Sequence, residues 1–215
     1  MTTYCMPNPG SFKHRILRAI AWFLTHLPYR VRCAGAERIP AQGGAVLVCN
    51  HVSYLDALFI YAASPRPMRF VMHTDYIHLP GLGWLFRLAG VIPIDSARKN
   101  PAVLNRALKE IDATLQAGGL IGIFPEGHLT KSGHVDRFRP GIEEIIRRNA
   151  VPVIPLALRG LWGSFFSHKG GPAMTHWPRR IWSRIELAVG DTVHPRLVTA
   201  EYLREKVRHL RGARA

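Results

Sequence analysis

The apolar run Gly44-Ala45-Val46-Leu47-Val48-Cys49 reads as a buried strand, and it is one of six such runs separated by helical patterns. Strands are predicted near 45–49, 69–73, 91–94, 120–124, 151–158 and 184–189. The clearest helix between them has Asn100 as its cap and Pro101 at its first position. Leu104, Leu108, Ile111 and Leu115 run along one face, and Gly118 stops it. Strands alternating with helices imply β-α-β units. The expected fold class is therefore α/β, a single domain with a mixed, mostly parallel sheet flanked by helices and preceded by an N-terminal amphipathic helix. A length of 215 residues with 47% apolar content suits one such domain with a sizeable core.

The strand at 45–49 runs into Asn50-His51-Val52-Ser53-Tyr54-Leu55-Asp56, after which Ala57-Leu58-Phe59-Ile60-Tyr61-Ala62-Ala63 begins an apolar helix. Ser53 followed three residues later by Asp56 has the form of a capping box, which starts the helix at Ser53 and puts Asp56 in its first turn. His51 then precedes the helix and is free to fold back toward Asp56. An imidazole beside a carboxylate is a general base with its orienting partner; the alternative is a loop histidine and a cap. A second strand, Leu120-Ile121-Gly122-Ile123-Phe124, ends in Pro125-Glu126-Gly127-His128. Proline stops the ladder, and glycine lets a ligand approach the backbone. The Glu126 carboxylate then projects from the strand end where open α/β sheets bind ligands.

Charge narrows the partners. The formal net charge is +15, and no Asp or Glu occurs before Glu37 although Lys13, Arg15, Arg18, Arg30 and Arg32 lie there. A polyanion is implied, and an anionic membrane surface fits best. Nucleic acid fits worst, because the basic residues interleave with long apolar stretches and no nucleic-acid motif is present. On a helix over 12–27, Phe12, Ile16, Leu17, Ile20, Phe23, Leu24 and Leu27 fall on one arc, with His14, Arg15, Arg18 and His26 opposite. Sixteen residues reach only about 24 Å, so the helix is expected to lie in the interface rather than to span it; the alternative is ordinary packing on the domain. Two further stretches, Leu79 to Phe86 and Trp162 to Trp182, have an interfacial composition. The expected organisation is residues 1–30 as a membrane-surface helix and 31–215 as a catalytic domain. Cys5, Cys33 and Cys49 show neither metal spacing nor a disulfide framework, so no metal site is expected.

The motifs Asn50-His51-x-Ser53-x-x-Asp56 and Phe124-Pro125-Glu126-Gly127 resemble those of the glycerolipid acyltransferases of the lysophosphatidic acid type. Two further blocks, Gly90 to Arg98 and Val151 to Leu158, match in order. The resemblance runs over roughly 40–165, and the segment from Arg139 to Phe166 is similar to acyltransferase modules that some bacteria also fuse to transporters. It implies transfer of a fatty acyl group from acyl-CoA or acyl carrier protein to the free hydroxyl of a lysophospholipid, with no other cofactor. The implied location is the cytoplasmic face of a bacterial inner membrane. His51 and Asp56 would be catalytic. Glu126 and Gly127 would place the acceptor, Arg98 would bind a phosphate, and Val153, Ile154 and Pro155 would support the acyl end. The family usually continues Phe-Pro-Glu-Gly-Thr-Arg-Ser, with the arginine on the acceptor phosphate, but here those places hold His128, Leu129 and Thr130. Related enzymes acting on 2-acylglycerophosphoethanolamine also lack that arginine, and Leu129→Arg is the change expected to favour a bare phosphate. A thioester or lipid hydrolase and a non-catalytic lipid-binding module are the other readings, although no Gly-x-Ser-x-Gly elbow is present. An acyl intermediate on Cys49 is the alternative to direct transfer.

Overall fold

The computed structural model describes residues 12–77, 89–175, 177 and 182–212, so the predicted Leu79–Phe86 lipid contact lies outside the described residues. Among the described residues the strands are β1 (Arg30–Ala34), β2 (Ala45–Cys49), β3 (Met68–His73), β4 (Ile92–Ile94), β5 (Leu120–Ile123), β6 (Val153–Arg159) and β7 (Arg184–Val189). They form one sheet in the order β1-β7-β6-β2-β5-β3-β4, parallel throughout except where β6 meets β7. The helices are α1 (Phe12–His26), α2 (Asp56–Ala63), α3 (Pro101–Gln116), α4 (Gly141–Asn149) and α5 (Ala200–Arg211), with a single turn at Thr74–Ile77.

The alternation of side chains along a strand explains why β2 is apolar throughout. Ala45, Leu47 and Cys49 join the core beneath α1 and α2. Val46 and Val48 join the opposite core, which α3, α4 and α5 cover. A central parallel strand is buried on both faces, so every position has to be apolar. At roughly 1.5 to 3 kcal/mol per buried aliphatic side chain, these two layers are the main source of stability. Helix α3 starts as its sequence requires, with Asn100 Oδ1 accepting the Val103 N–H at 3.1 Å and Pro101 at its first position. Gly118 just beyond it takes a left-handed φ of 78°.

Strand β1 was not anticipated. Its sequence, Arg-Val-Arg-Cys-Ala, is exposed at alternate positions because it is an edge strand on β7, and charged residues on an edge do not read as a buried run. Helix α1 shows a different packing face from the expected apolar arc. It buries His14, Leu17, Ala21 and Thr25, while Phe12, Ile16, Ile20, Phe23 and Leu24 remain exposed. His14 belongs to the buried side because its Nδ1 lies 2.9 Å from the Tyr61 hydroxyl of α2, and Arg18 Nε donates to the Ala62 carbonyl at 3.1 Å. Periodicity alone could not identify these polar anchors.

Candidate active site

Strands β2 and β5 are adjacent and parallel, so the chain leaves both at the same edge of the sheet and the two loops that follow must meet. Asn50 secures the first loop. Its buried amide donates through Nδ2 to the Leu158 carbonyl at 3.1 Å, and its Oδ1 accepts the Leu158 N–H at 2.8 Å. The side chain thus continues the ladder with β6 for one residue after β2 has ended. His51 follows directly, at the mouth of the loop.

The His51 Nδ1 lies 2.9 Å from Asp56 Oδ2. Because a carboxylate oxygen only accepts, this contact places the imidazole proton on Nδ1 and leaves the Nε2 lone pair available. The same Oδ2 accepts the N–H groups of Val52 at 2.6 Å and Ser53 at 2.9 Å, so Asp56 is held by three donors. Its side chain is fully buried, whereas that of His51 is 21% exposed. Burial pushes the Asp56 carboxyl above its ordinary range, against the opposing pull of His51 and the two amides. Helix α2 begins at Asp56 with Leu55 as its cap, two residues later than the Ser53 cap that the capping box predicts. The Asp56 carboxylate still reaches back to the Ser53 N–H, but the Ser53 hydroxyl accepts from Leu55. The carboxylate is aimed at the histidine loop instead of serving the helix end alone.

Glu126 joins the loops. Its Oε1 accepts the His51 N–H at 2.8 Å and its Oε2 accepts the Asp136 N–H at 3.0 Å. The residue is 1% exposed, and burial, assisted by the charges of Asp136 and Asp56, pushes its carboxyl up to about 7 against the two amide bonds. Both oxygens are thus engaged with backbone, making Glu126 a clamp on the His51 loop. Thr130 completes the enclosure by donating its N–H to the His51 carbonyl at 2.8 Å. Phe124 stacks on the imidazole, with centroids 4.1 Å apart and planes 12° off parallel, and Phe70 stacks behind Phe124 at 5.9 Å. Beyond Phe70 lies an apolar cleft walled by Leu17, Ile20, Leu58, Tyr61 and Met72.

The remaining sequence-predicted residues lie apart from this pair. Gly127 adopts φ 72° on the exposed turn after Glu126. Arg98 is exposed on the turn between β4 and α3, and β4 lies three strand positions from β2, roughly 14 Å at the usual spacing. Val153, Ile154 and Pro155 are buried within β6, and Val153 and Ile154 belong to opposite cores. Leu129 is 4% exposed, so the place that carries arginine in the family is buried here. An arginine introduced there would enter an enclosed position, contrary to the expectation that it would restore a phosphate ligand. Cys49 is buried, and desolvation together with the nearby Asp56 charge pushes its thiol well above its ordinary range, which removes its capacity as a nucleophile. Sequence reasoning assigned no role to Asn50, Phe124, Thr130 or Asp136. Only the Asn-His pair and the aromatic at a strand end hinted at the first two.

A partly exposed histidine held against a buried carboxylate, at the carboxyl edge of parallel strands, is an arrangement that can serve acid-base chemistry. The acyltransferase family model matches residues 30–159, and the chain belongs to that family. The fold is that of the 1-acyl-sn-glycerophosphate (LPA) acyltransferase PlsC from Thermotoga maritima, with a TM-score of 0.71 and 23% identity over 92% of this chain and 78% of that one. The chain is 28% identical over 155 residues to the chloroplastic 1-acyl-sn-glycerol-3-phosphate acyltransferase LPAT1 of Arabidopsis thaliana. That match covers 72% of this chain and 43% of that protein. It is 27% identical over 170 residues to the 1-acyl-sn-glycerol-3-phosphate acyltransferase of Pseudomonas aeruginosa, covering 77% and 59%. The chain thus spans about half the length of these curated relatives.

Proposed function

We propose that this protein transfers a fatty acyl group from a thioester of coenzyme A or acyl carrier protein to the free hydroxyl of a lysophospholipid, 1-acylglycerol-3-phosphate or a related lysolipid. The observation that carries this reading is the 2.9 Å contact between the partly exposed His51 and the buried Asp56. An alcohol is too weakly acidic to attack unaided. His51 Nε2 takes the hydroxyl proton as the new carbon-oxygen bond forms, contributing about 10²- to 10⁴-fold. Asp56 holds the tautomer and stabilises the imidazolium. When the tetrahedral intermediate collapses, the carbon-sulfur bond breaks and the imidazolium returns the proton to the departing thiolate. Atoms and charge balance without a metal or a covalent enzyme intermediate. The stack from His51 through Phe124 to Phe70 leads to the apolar cleft, which suits an acyl chain.

The outward apolar face of α1 supports a role at an anionic membrane surface, on the cytoplasmic face of a bacterial inner membrane. Trp182 extends that face, being 63% exposed with its N–H bonded to the Pro28 carbonyl at 2.7 Å. Among the described residues no helix is long and apolar enough to cross a membrane, so the contact would be interfacial. The test is thiol release from acyl-CoA and from acyl carrier protein, with and without a panel of lysolipids. Release that requires a lysolipid and yields a diacyl product supports the reading. Equal release without an acceptor identifies a hydrolase, and no release with any donor identifies a binding module.

A further inference from the structure

We propose that the cavity beside Glu126 binds the phosphate of the acceptor through Arg137 and Arg139, in place of the family arginine that Leu129 replaces; the proposal rests on the acyl-transfer reading of the site. The cavity is about 430 Å³, and His128, Asp136, Arg137, Arg139 and Pro140 line it together with Glu126. Its acidic members already have partners. Both Glu126 oxygens accept backbone N–H groups, and Asp136 Oδ2 lies 3.4 Å from His128 Nε2. Both arginines are exposed, and neither has an ion pair among the described residues. Among the described residues Arg139 donates only Nε, to the Glu126 carbonyl at 3.2 Å, and its two terminal nitrogens can fork onto a ligand.

The backbone is shaped for that guanidinium. Gly127 has φ 72°, and a Cβ there would come within 2.6 Å of Arg139 Nε and 2.9 Å of its Cζ. A left-handed glycine is therefore what lets the arginine lie against the turn. Position in the site selects the acceptor phosphate over the phosphates of coenzyme A. One residue, Glu126, both lines the cavity and bonds the His51 backbone. In 1-acylglycerol-3-phosphate the phosphate sits on the carbon next to the one bearing the reacting hydroxyl. The phosphates of coenzyme A lie at the far end of the pantetheine arm from the thioester.

The experiment measures equilibrium binding to the full chain of a short-chain lysophosphatidic acid below its micelle concentration, the matching monoacylglycerol, and free coenzyme A. Arg137→Gln is the primary variant because its side chain has no hydrogen bond or ion pair among the described residues. Arg139→Gln is the second, with circular dichroism to verify the fold. Loss of a charge-assisted phosphate contact is expected to weaken lysophosphatidic acid about tenfold or more in each, and further in the double variant, while monoacylglycerol and coenzyme A bind as before. Unchanged lysophosphatidic acid affinity in folded Arg137→Gln and Arg139→Gln would overturn the proposal. Weakened coenzyme A binding with lysophosphatidic acid unaffected would overturn it too. Binding is read without turnover, so weakened phosphate binding in a protein that transfers no acyl group supports this site and counts against the functional reading alone.

Discussion

Replacing Glu126 with glutamine keeps the shape of the side chain and removes its charge, which separates the clamp from the carboxylate's titration. Burial raises this carboxyl from 4.5 to about 7. At 1.36 kcal/mol per unit, the shift corresponds to about 3 kcal/mol of stability. Below about pH 4.5 the group is protonated in both the folded and the unfolded chain, and the fold bears no penalty. Between about 4.5 and 7 the unfolded chain gives up its proton while the folded chain retains it, so stability falls as pH rises through that window and is level above it. Glutamine approximates the neutral acid and does not titrate. Glu126→Gln also forfeits one of the two backbone bonds, so it is expected to start below the parent near pH 4.5 and to gain about 3 kcal/mol on it between pH 4.5 and pH 8, read from urea denaturation at several pH values. Activity should move the other way. Glutamine offers one acceptor oxygen, so one of the N–H groups of His51 and Asp136 meets an amide donor and loses its bond. A lost charge-assisted bond of about 1.5 to 3 kcal/mol in the loop that positions the base predicts a roughly 10- to 100-fold fall in turnover. A stability difference that is the same at pH 4.5 and pH 8 would refute the buried-charge reasoning. Full turnover in the variant would refute the clamp.

Three further outcomes are expected. His51→Ala and Asp56→Asn should each lower acceptor-dependent thiol release at least about a hundredfold, and the double variant should lose little more, since the pair acts as a unit; near-normal release from folded His51→Ala would sink the mechanism. Phe23→Asp with Leu24→Asp, at positions 56% and 44% exposed, should weaken binding to anionic vesicles without moving the melting temperature, and added salt should weaken it in the parent. Unaltered vesicle binding would exclude this face of α1. Leu129→Arg should cost several kcal/mol of stability because it buries a charge. A normally folded Leu129→Arg protein with a new preference for lysophosphatidic acid would show instead that position 129 can open to the site.

The interior strands were legible because a strand buried on both faces must be apolar at every position, and all six runs begin and end within about two residues of where they were expected. The run expected at 151–158 occupies 153–159, and its Val153, Ile154 and Pro155 lie inside the sheet. Edge strand β1 escaped notice because its charges break that signal. Likewise the Asn-His-x-Ser-x-x-Asp spacing brought His51 within reach of Asp56, since five residues of chain suffice to fold the imidazole back to 2.9 Å from the carboxylate. Local sequence thus determined the sheet interior and the contact between His51 and Asp56. Tertiary structure alone decided that β2 and β5 lie side by side, which brings Glu126 from 75 residues away onto the His51 backbone. It also decided that His14 is buried against Tyr61, that Leu129 turns inward, and that Arg137 and Arg139 share a cavity. These relations depend on which strands neighbour one another and which face of a loop is covered. No short-range pattern encodes them, because their partners are supplied by distant parts of the chain.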